Sequence, residues 1–160
     1  MTEYHMQKSE REIKDLSEIY EIVQKGLYTV ISICSDNEPY IVTLNYGYDK
    51  DKNALYFHSA QEGLKLDILK KNPKVCATVI EDRGYLPGKC DHAYRSAVLF
   101  GKMYFVEDLQ EKIHGMEIML HHLEDDPDKV RARLLKKEET YVKLGILRLD
   151  IKNITGKQGP

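Results

Sequence analysis

The residue types best suited to chemistry concentrate in the stretch FHSAQEGLK, residues 57–65. A histidine and a serine close a short apolar run, and a lysine follows six residues after the serine. Ser59-Ala60-Gln61-Glu62 fits the S-x-x-E capping box, with Ser59 as N-cap of a helix and Glu62 at its third position. The first N–H groups of a helix lack internal partners and carry partial positive charge, so a phosphate can dock there. Lys65, about one turn further in, can return a point charge to the same anion. Gly63 lowers helix propensity but lets a ligand approach the backbone. Two readings follow: a capped surface helix with an exposed lysine, or an anion cradle. His58 alternates with Tyr56 and Ala60, opposite Leu55, Phe57 and Ser59. It is either a structural strand histidine or a group placed to donate to a ligand or relay a proton.

A second stretch, PYIVTLNYGY (39–48), reads as a strand. Alternation puts Tyr40, Val42, Leu44, Tyr46 and Tyr48 on one side and Ile41, Thr43, Asn45 and Gly47 on the other. The first side reads as core. The second, mixed apolar and small polar, suits a solvated sheet face or a ligand or subunit contact. His114, Glu117 and His121 share a helix face beside His122, and Cys90-Asp91-His92 forms another compact group. Neither has paired C-x-x-C or H-E-x-x-H spacing, so a polar helix face is expected and no metal site. There is no G-x-S-x-G elbow, no Walker A loop and no G-x-G-x-x-G after a strand.

Bulk composition narrows the field. The 160 residues suffice for one domain, 1–160, with a substantial core. Hydrophobic residues make up 42% and charged residues 31%, an ordinary globular balance. Twenty-four basic against 26 acidic groups leave a net charge of −2, so no general attraction for nucleic acid or an anionic membrane is expected. The N-terminal MTEYHMQKSEREIK lacks the apolar core of a signal peptide, and no apolar run approaches bilayer-spanning length. Cys34, Cys76 and Cys90 are odd in number and widely spaced, which argues for free thiols and a cytoplasmic location.

The elements that must position these residues follow from periodicity. Apolar residues at helical spacing run from Lys8 to Lys25, with Gly26 placed to end the helix. Strands are expected over 27–34 and 39–48, joined by the turn SDNE, and over 54–60 after the polar turn DKDKN. A helix from Gln61 to about Lys71, closed by Asn72-Pro73, leads to a strand over 74–80. Residues 81–92 read as a loop, and 94–106 as a strand with a bulge or close approach at Gly101. Helices are expected at roughly 107–123 and 127–139, and a last strand from Tyr141. This order suggests a β-barrel or sandwich with peripheral helices.

In sequence order, PYIVTLNYGYD, LYFHSAQEGLKLDILKKNP, YRSAVLFGK and NITGK resemble the nitroimidazole-resistance (Nim) family of pyridoxamine 5′-phosphate oxidase-like flavin-binding split barrels. The resemblance runs from about Arg11 to Lys157. H-S-A-x-x-G-x-K, preceded by Leu-Tyr-Phe, is its most specific part. CDHAYRSAVLFG resembles the family's Cys-x-x-x-Tyr-x-Ser-Val strand, with Ala97 where valine is usual. Residues 107–140 match only as helical filler of the right length.

The resemblance implies a mainly β fold with peripheral helices: a six-stranded-type antiparallel split β-barrel, dimeric, with two flavins at the subunit interface. FMN is the expected cofactor, and some relatives accommodate FAD. By motif, Thr43 and Asn45 would lie along the isoalloxazine, with Leu44 contributing backbone contacts. His58, Ser59 and Ala60 would border the flavin and its ribityl chain. Lys65 would bind the phosphate with Leu64 nearby, and Arg95 and Ser96 would reach the same site. The implied activity is a flavin-dependent reductase carrying electrons from a nicotinamide or other donor to a small electron-poor acceptor, with His58 as the catalytic candidate. The rival expectations are a flavin-binding carrier or sensor without catalysis, and a haem-binding split barrel.

Overall fold

A computed structural model describes residues 6–160; the first five residues, part of the stretch read as lacking a signal-peptide core, lie outside them. A single 3₁₀ turn, Ser9–Arg11, leads into β1 (Glu12–Ile13) and α1 (Leu16–Lys25). There follow β2 (Tyr28–Ser35), β3 (Glu38–Asn45), β4 (Gly47–Asp49), β5 (Ala54–Ser59) and α2 (Leu64–Lys71). Two long strands, β6 (Lys74–Leu86) and β7 (Asp91–Phe105), precede the helical layer α3 (Leu109–Leu123), α4 (Pro127–Leu134) and α5 (Glu138–Lys143). Strand β8 (Gly145–Gln158) closes the chain. The fold is mainly β with peripheral helices, as expected.

Among the described residues, all eight strands belong to one antiparallel sheet of order β3-β2-β6-β7-β8-β5-β4, with β1 added along β8. Its outermost strands, β3 and β4, are consecutive in the chain with only Tyr46 between them. The sheet therefore curls, yet β3 and β4 pair with different neighbours: an open, split arrangement. Tyr46 is fully buried at this break, and its hydroxyl donates to Val23 O at 2.5 Å. That bond fixes α1 against the sheet. The strand expected over 39–48 is thus two strands turned about one buried tyrosine.

Other boundaries moved for identifiable reasons. The β2–β3 turn is the two-residue Asp36-Asn37 with both φ angles positive (54° and 63°), which matches the twist of a hairpin. Residues 81–92 are not a loop: β6 and β7 continue through them as a hairpin, Tyr85 opposite His92 and Leu86 opposite Asp91. Gly84 serves the irregularity between Asp82 and Tyr85, and Gly88 the turn, both at positive φ. The first helix is shorter than its apolar periodicity because Ile13 belongs to β1; Asp15 caps α1 by accepting from Ser17 N. The segment 127–139 splits into α4 and α5, and Tyr141 lies in α5, not in the last strand. At Gly101 the expected close approach is present, because a Cβ there would lie 2.0 Å from Asp150 O, beside a register shift in the β7–β8 ladder.

The main core fills the inside of the curled sheet beneath α1 and α2, with Ile31, Phe57, Leu99 and Leu149 fully buried. A second, smaller core around Tyr56, Val106, Met119 and Ile146 lies between the opposite face of β5–β8 and the α3 layer. Strand β5 is therefore covered on both sides, which explains its nearly continuous burial. Among the described residues, no helix is long and apolar enough to cross a membrane.

Candidate functional site

Adjacent residues of β5 face opposite ways. Leu55 and Phe57 belong to the main core, and Ser59 follows them on that side at 6% exposure. The end of the strand is tightly held: Ser59 pairs with Gly145, where a Cβ would sit 2.3 Å from Ser59 O. Among the described residues, Ser59 Oγ is the buried side-chain polar atom without a hydrogen-bond partner. An unsatisfied buried hydroxyl costs about 1–3 kcal/mol, so a partner outside the protein is its natural complement.

The capping box is not formed. Ser59 lies in β5, four residues before the actual N-cap, Gly63, which makes no side-chain cap. Gly63 has φ of +132° with open space around it, a backbone state that favours glycine. Its carbonyl accepts from Leu66 N and Asp67 N at 2.9 and 3.2 Å, so the chain turns directly into the helix. The leading N–H groups of α2 then face outward without an intrahelical acceptor. Lys65 is half-buried in this first turn and forms no ion pair among the described residues. Burial pushes its pKa below the usual lysine value. A part-desolvated cation, leading helix N–H groups and an unpartnered hydroxyl thus gather within seven residues, with Ala60 and Leu64 exposed between them.

Thr43, Asn45 and Ser96 lie elsewhere, on the outward face of the sheet. The ladder sets Thr43 beside Val30, Val30 beside Thr78 and Thr78 beside Val98. The neighbouring row holds Ile41, Ser32, Cys76 and Phe100. Ile41 and Ile80 are 64% and 54% exposed, so this face carries uncovered aliphatic groups among short polar ones. Asn45 spends one donor on Leu27 O at 3.0 Å. Leu44 points the other way and packs against the core.

Arg95 is on the side opposite Ser96, buried beneath α1. Its Nε and Nη2 donate to Glu81 at 3.1 and 2.6 Å, and its Nη1 to Glu21 at 3.0 Å. The guanidinium holds the Glu81 carboxyl below the usual range, and the pair clasps α1 to the β6–β7 hairpin. In this chain Arg95 is engaged with two carboxylates, whereas Ser96 shares the open face.

His58 looks to the side away from Ser59. It opens onto a cavity of about 290 Å³ whose walls include Met116, Leu120, Glu124, Leu134 and Thr140. The helical layer around it is fastened by Lys112 and Arg131. Lys112, buried in α3, donates to Val142 O and Leu144 O at 3.2 and 3.0 Å, tying down α5. Arg131 of α4 forms a two-pronged ion pair with Glu117.

The histidines expected on a polar helix face are half-buried fasteners in two cases. His114 Nε2 lies 2.6 Å from Asp49 Oδ2, and His122 Nε2 lies 2.7 Å from Gly26 O. The i, i+3, i+7 spacing marked their shared helix but could not identify Asp49 or Gly26, which lie more than sixty residues away.

The family described as pyridoxamine 5′-phosphate oxidase matches residues 15–158. A candidate 5-nitroimidazole antibiotic resistance protein from Bacteroides thetaiotaomicron is 28% identical; the match covers 91% of this chain and 85% of that one, with a TM-score of 0.76. The flavocytochrome Anf3 from Azotobacter vinelandii has a TM-score of 0.80 at 13% identity, over 98% of this chain and 73% of that one. An FAD-binding protein from Mesorhizobium loti has a TM-score of 0.66 at 20% identity, over 94% and 98%. The last two similarities speak to the fold alone. No curated protein matches the sequence.

Proposed function

The chain belongs to the pyridoxamine 5′-phosphate oxidase family, is related to the 5-nitroimidazole-resistance proteins, and on that footing we propose that it is a flavin-dependent oxidoreductase. The reaction proposed is reduction of a small electron-poor molecule, a nitroaromatic being the case suggested by the Bacteroides relative, with electrons from a nicotinamide or other donor. One observation carries the reading: among the described residues Ser59 Oγ has no partner, at the entrance to a helix whose first turn holds Lys65 without an ion pair. These groups fit an anionic cofactor. FMN is the proposed one, and FAD offers the same phosphate chemistry.

Bound flavin supplies reversible electron transfer, which these side chains lack. The protein's part is to bind, orient and exclude water. Lys65 neutralises the phosphate, the first N–H groups of α2 donate to it, and Ser59 donates its hydroxyl to the cofactor. Ala60 and Leu64 leave room beside that junction. Thr43, Asn45 and Ser96 provide hydrogen-bonding groups on the open sheet face for the edge of the ring system, with the Leu44 backbone alongside. The exposed Ile41 and Ile80 on that face support a homodimer with the cofactor at its interface, since a second copy would bury them. Arg95 acts here as a clasp for α1. His58, the sequence candidate for proton delivery, faces the helical side of β5, away from Ser59, and is given no step in this reaction.

Titration of flavin-free protein with FMN, followed by flavin fluorescence, tests the reading. The native chain should bind, and Lys65→Ala should raise the dissociation constant about tenfold or more, since a charge-assisted hydrogen bond contributes roughly 1.5–3 kcal/mol. Equal affinity in the variant would remove Lys65 from the phosphate site.

A further inference from the structure

The cavity at His58 belongs to neither the phosphate junction nor the open sheet face. We infer that it is a binding site for a compact apolar amine: a hydrocarbon body seated among Met116, Leu120 and Leu134, and an ammonium directed to Glu124 at the carboxyl end of α3. The inference goes beyond the flavin reading and does not depend on it.

The size and lining set the body of the ligand. About 290 Å³ lies at the lower edge of the ~300–1,000 Å³ typical of ligand pockets, which suits one small ring and not an extended cofactor. The lining side chains are mainly aliphatic, and the polar ones among them are those of His58, Glu124 and Thr140. Lys112 holds α5 by two carbonyls and Arg131 holds α4 by Glu117, so the walls are fixed by interactions outside the cavity.

The charge of the ligand follows from what faces the space. Glu124 is the C-cap of the 15-residue α3, so its carboxylate adds to the partial negative charge of the helix end. Arg131 of α4 is already paired with Glu117 and Asp128, and no lysine or arginine lines the cavity. The His58 side chain makes no hydrogen bond among the described residues, and a ring nitrogen of an imidazole can accept from an ammonium. A carboxylate ligand of the same shape meets Glu124 and is disfavoured.

The test uses the full chain labelled with ¹³C at methionine methyls, titrated separately with cyclohexylmethylamine and with cyclohexanecarboxylate. Met116 reports from the cavity wall and Met103 from the main core. The amine should shift Met116 saturably while Met103 stays put, and the carboxylate should bind about fivefold more weakly or worse, the scale of a helix-end and exposed-carboxylate effect. Glu124→Gln should bring the two within about twofold of each other, and Leu134→Trp, which fills the space from its exposed side, should abolish the shift. No saturable Met116 shift with the amine, or undiminished binding in Leu134→Trp, would overturn the site. Equal preference before and after Glu124→Gln would overturn the assigned ligand charge. Running the titration on flavin-free protein keeps its result separate from failure of the flavin reading.

Discussion

Ser59 and His58 are adjacent in β5 yet serve opposite sides of it: Ser59 Oγ is buried without a partner on the main-core side, and the His58 ring opens onto the helical cavity. One strand thus presents a hydroxyl for an anionic cofactor and an imidazole for something else. The pleat makes these roles separable by mutation.

Ser59→Ala should leave flavin-free protein as stable as the native chain or more so, because it removes an unsatisfied buried hydroxyl. The same change should weaken FMN binding by roughly 3- to 10-fold, the effect of one ordinary hydrogen bond of about 1 kcal/mol. Urea unfolding of the flavin-free protein and an FMN titration check the two halves. A large loss of stability would show the hydroxyl to be satisfied within the fold.

The His114–Asp49 contact should govern part of the acid limb of stability. Burial pushes the Asp49 carboxyl up, but its bonds to His114 and to the Lys52 and Asp51 N–H groups outweigh that and leave it below the ordinary value. Its stabilisation is complete above the unfolded carboxyl pKa of about 4 and fades as pH falls through that value toward the lower native one. Asp49→Asn should cost about 1–3 kcal/mol at pH 7, with the gap to native narrowing below about pH 4. Denaturant midpoints across pH 3–7 measure this. A gap that does not vary with pH would contradict it.

Gly47 admits α3 to the sheet: a Cβ there would lie 2.6 Å from both Met119 Cα and Met119 N. Backbone cannot yield as a side-chain tip does. Gly47→Ala should therefore destabilise the protein by about 1–3 kcal/mol and loosen the helical layer. Hydrogen exchange should accelerate in α3 more than in β6 and β7. Native-like protection throughout α3 would show that the contact can relax.

Ile80→Arg places a charge on the open sheet face. If a second copy covers that face, the variant should sediment as a monomer where the native chain sediments as a dimer, and flavin retention should fall with it. A native chain that is already monomeric at micromolar concentration would contradict the covered-face reading.

Much of the fold was legible because local signals agreed with it. The β-branched run of β2, the Asp36-Asn37 turn and the alternation of β3 all point to the observed hairpin. The misreadings have physical causes. Gly84, Pro87 and Gly88 looked like loop punctuation, but they serve a bulge and turn within a paired 13- and 15-residue hairpin. The S-x-x-E pattern at Ser59 is real in sequence, but pairing of Ser59 with Gly145 holds it in the strand until Gly63 turns the chain. At the candidate site, Lys65 and Ser59 were readable because they lie within seven residues of each other. The engagement of Arg95 with Glu21 and Glu81, and the cavity around His58, depend on contacts between distant segments that no local pattern carries.

The most direct test of the central claim is the visible absorbance spectrum of freshly purified native protein, followed by mass identification of any released chromophore. The account predicts a yellow protein whose chromophore is FMN, or FAD in its place, at close to one per chain. A colourless protein that also fails to take up added FMN or FAD would contradict it, and would reduce Ser59 and Lys65 to an unfilled strand end and a surface lysine.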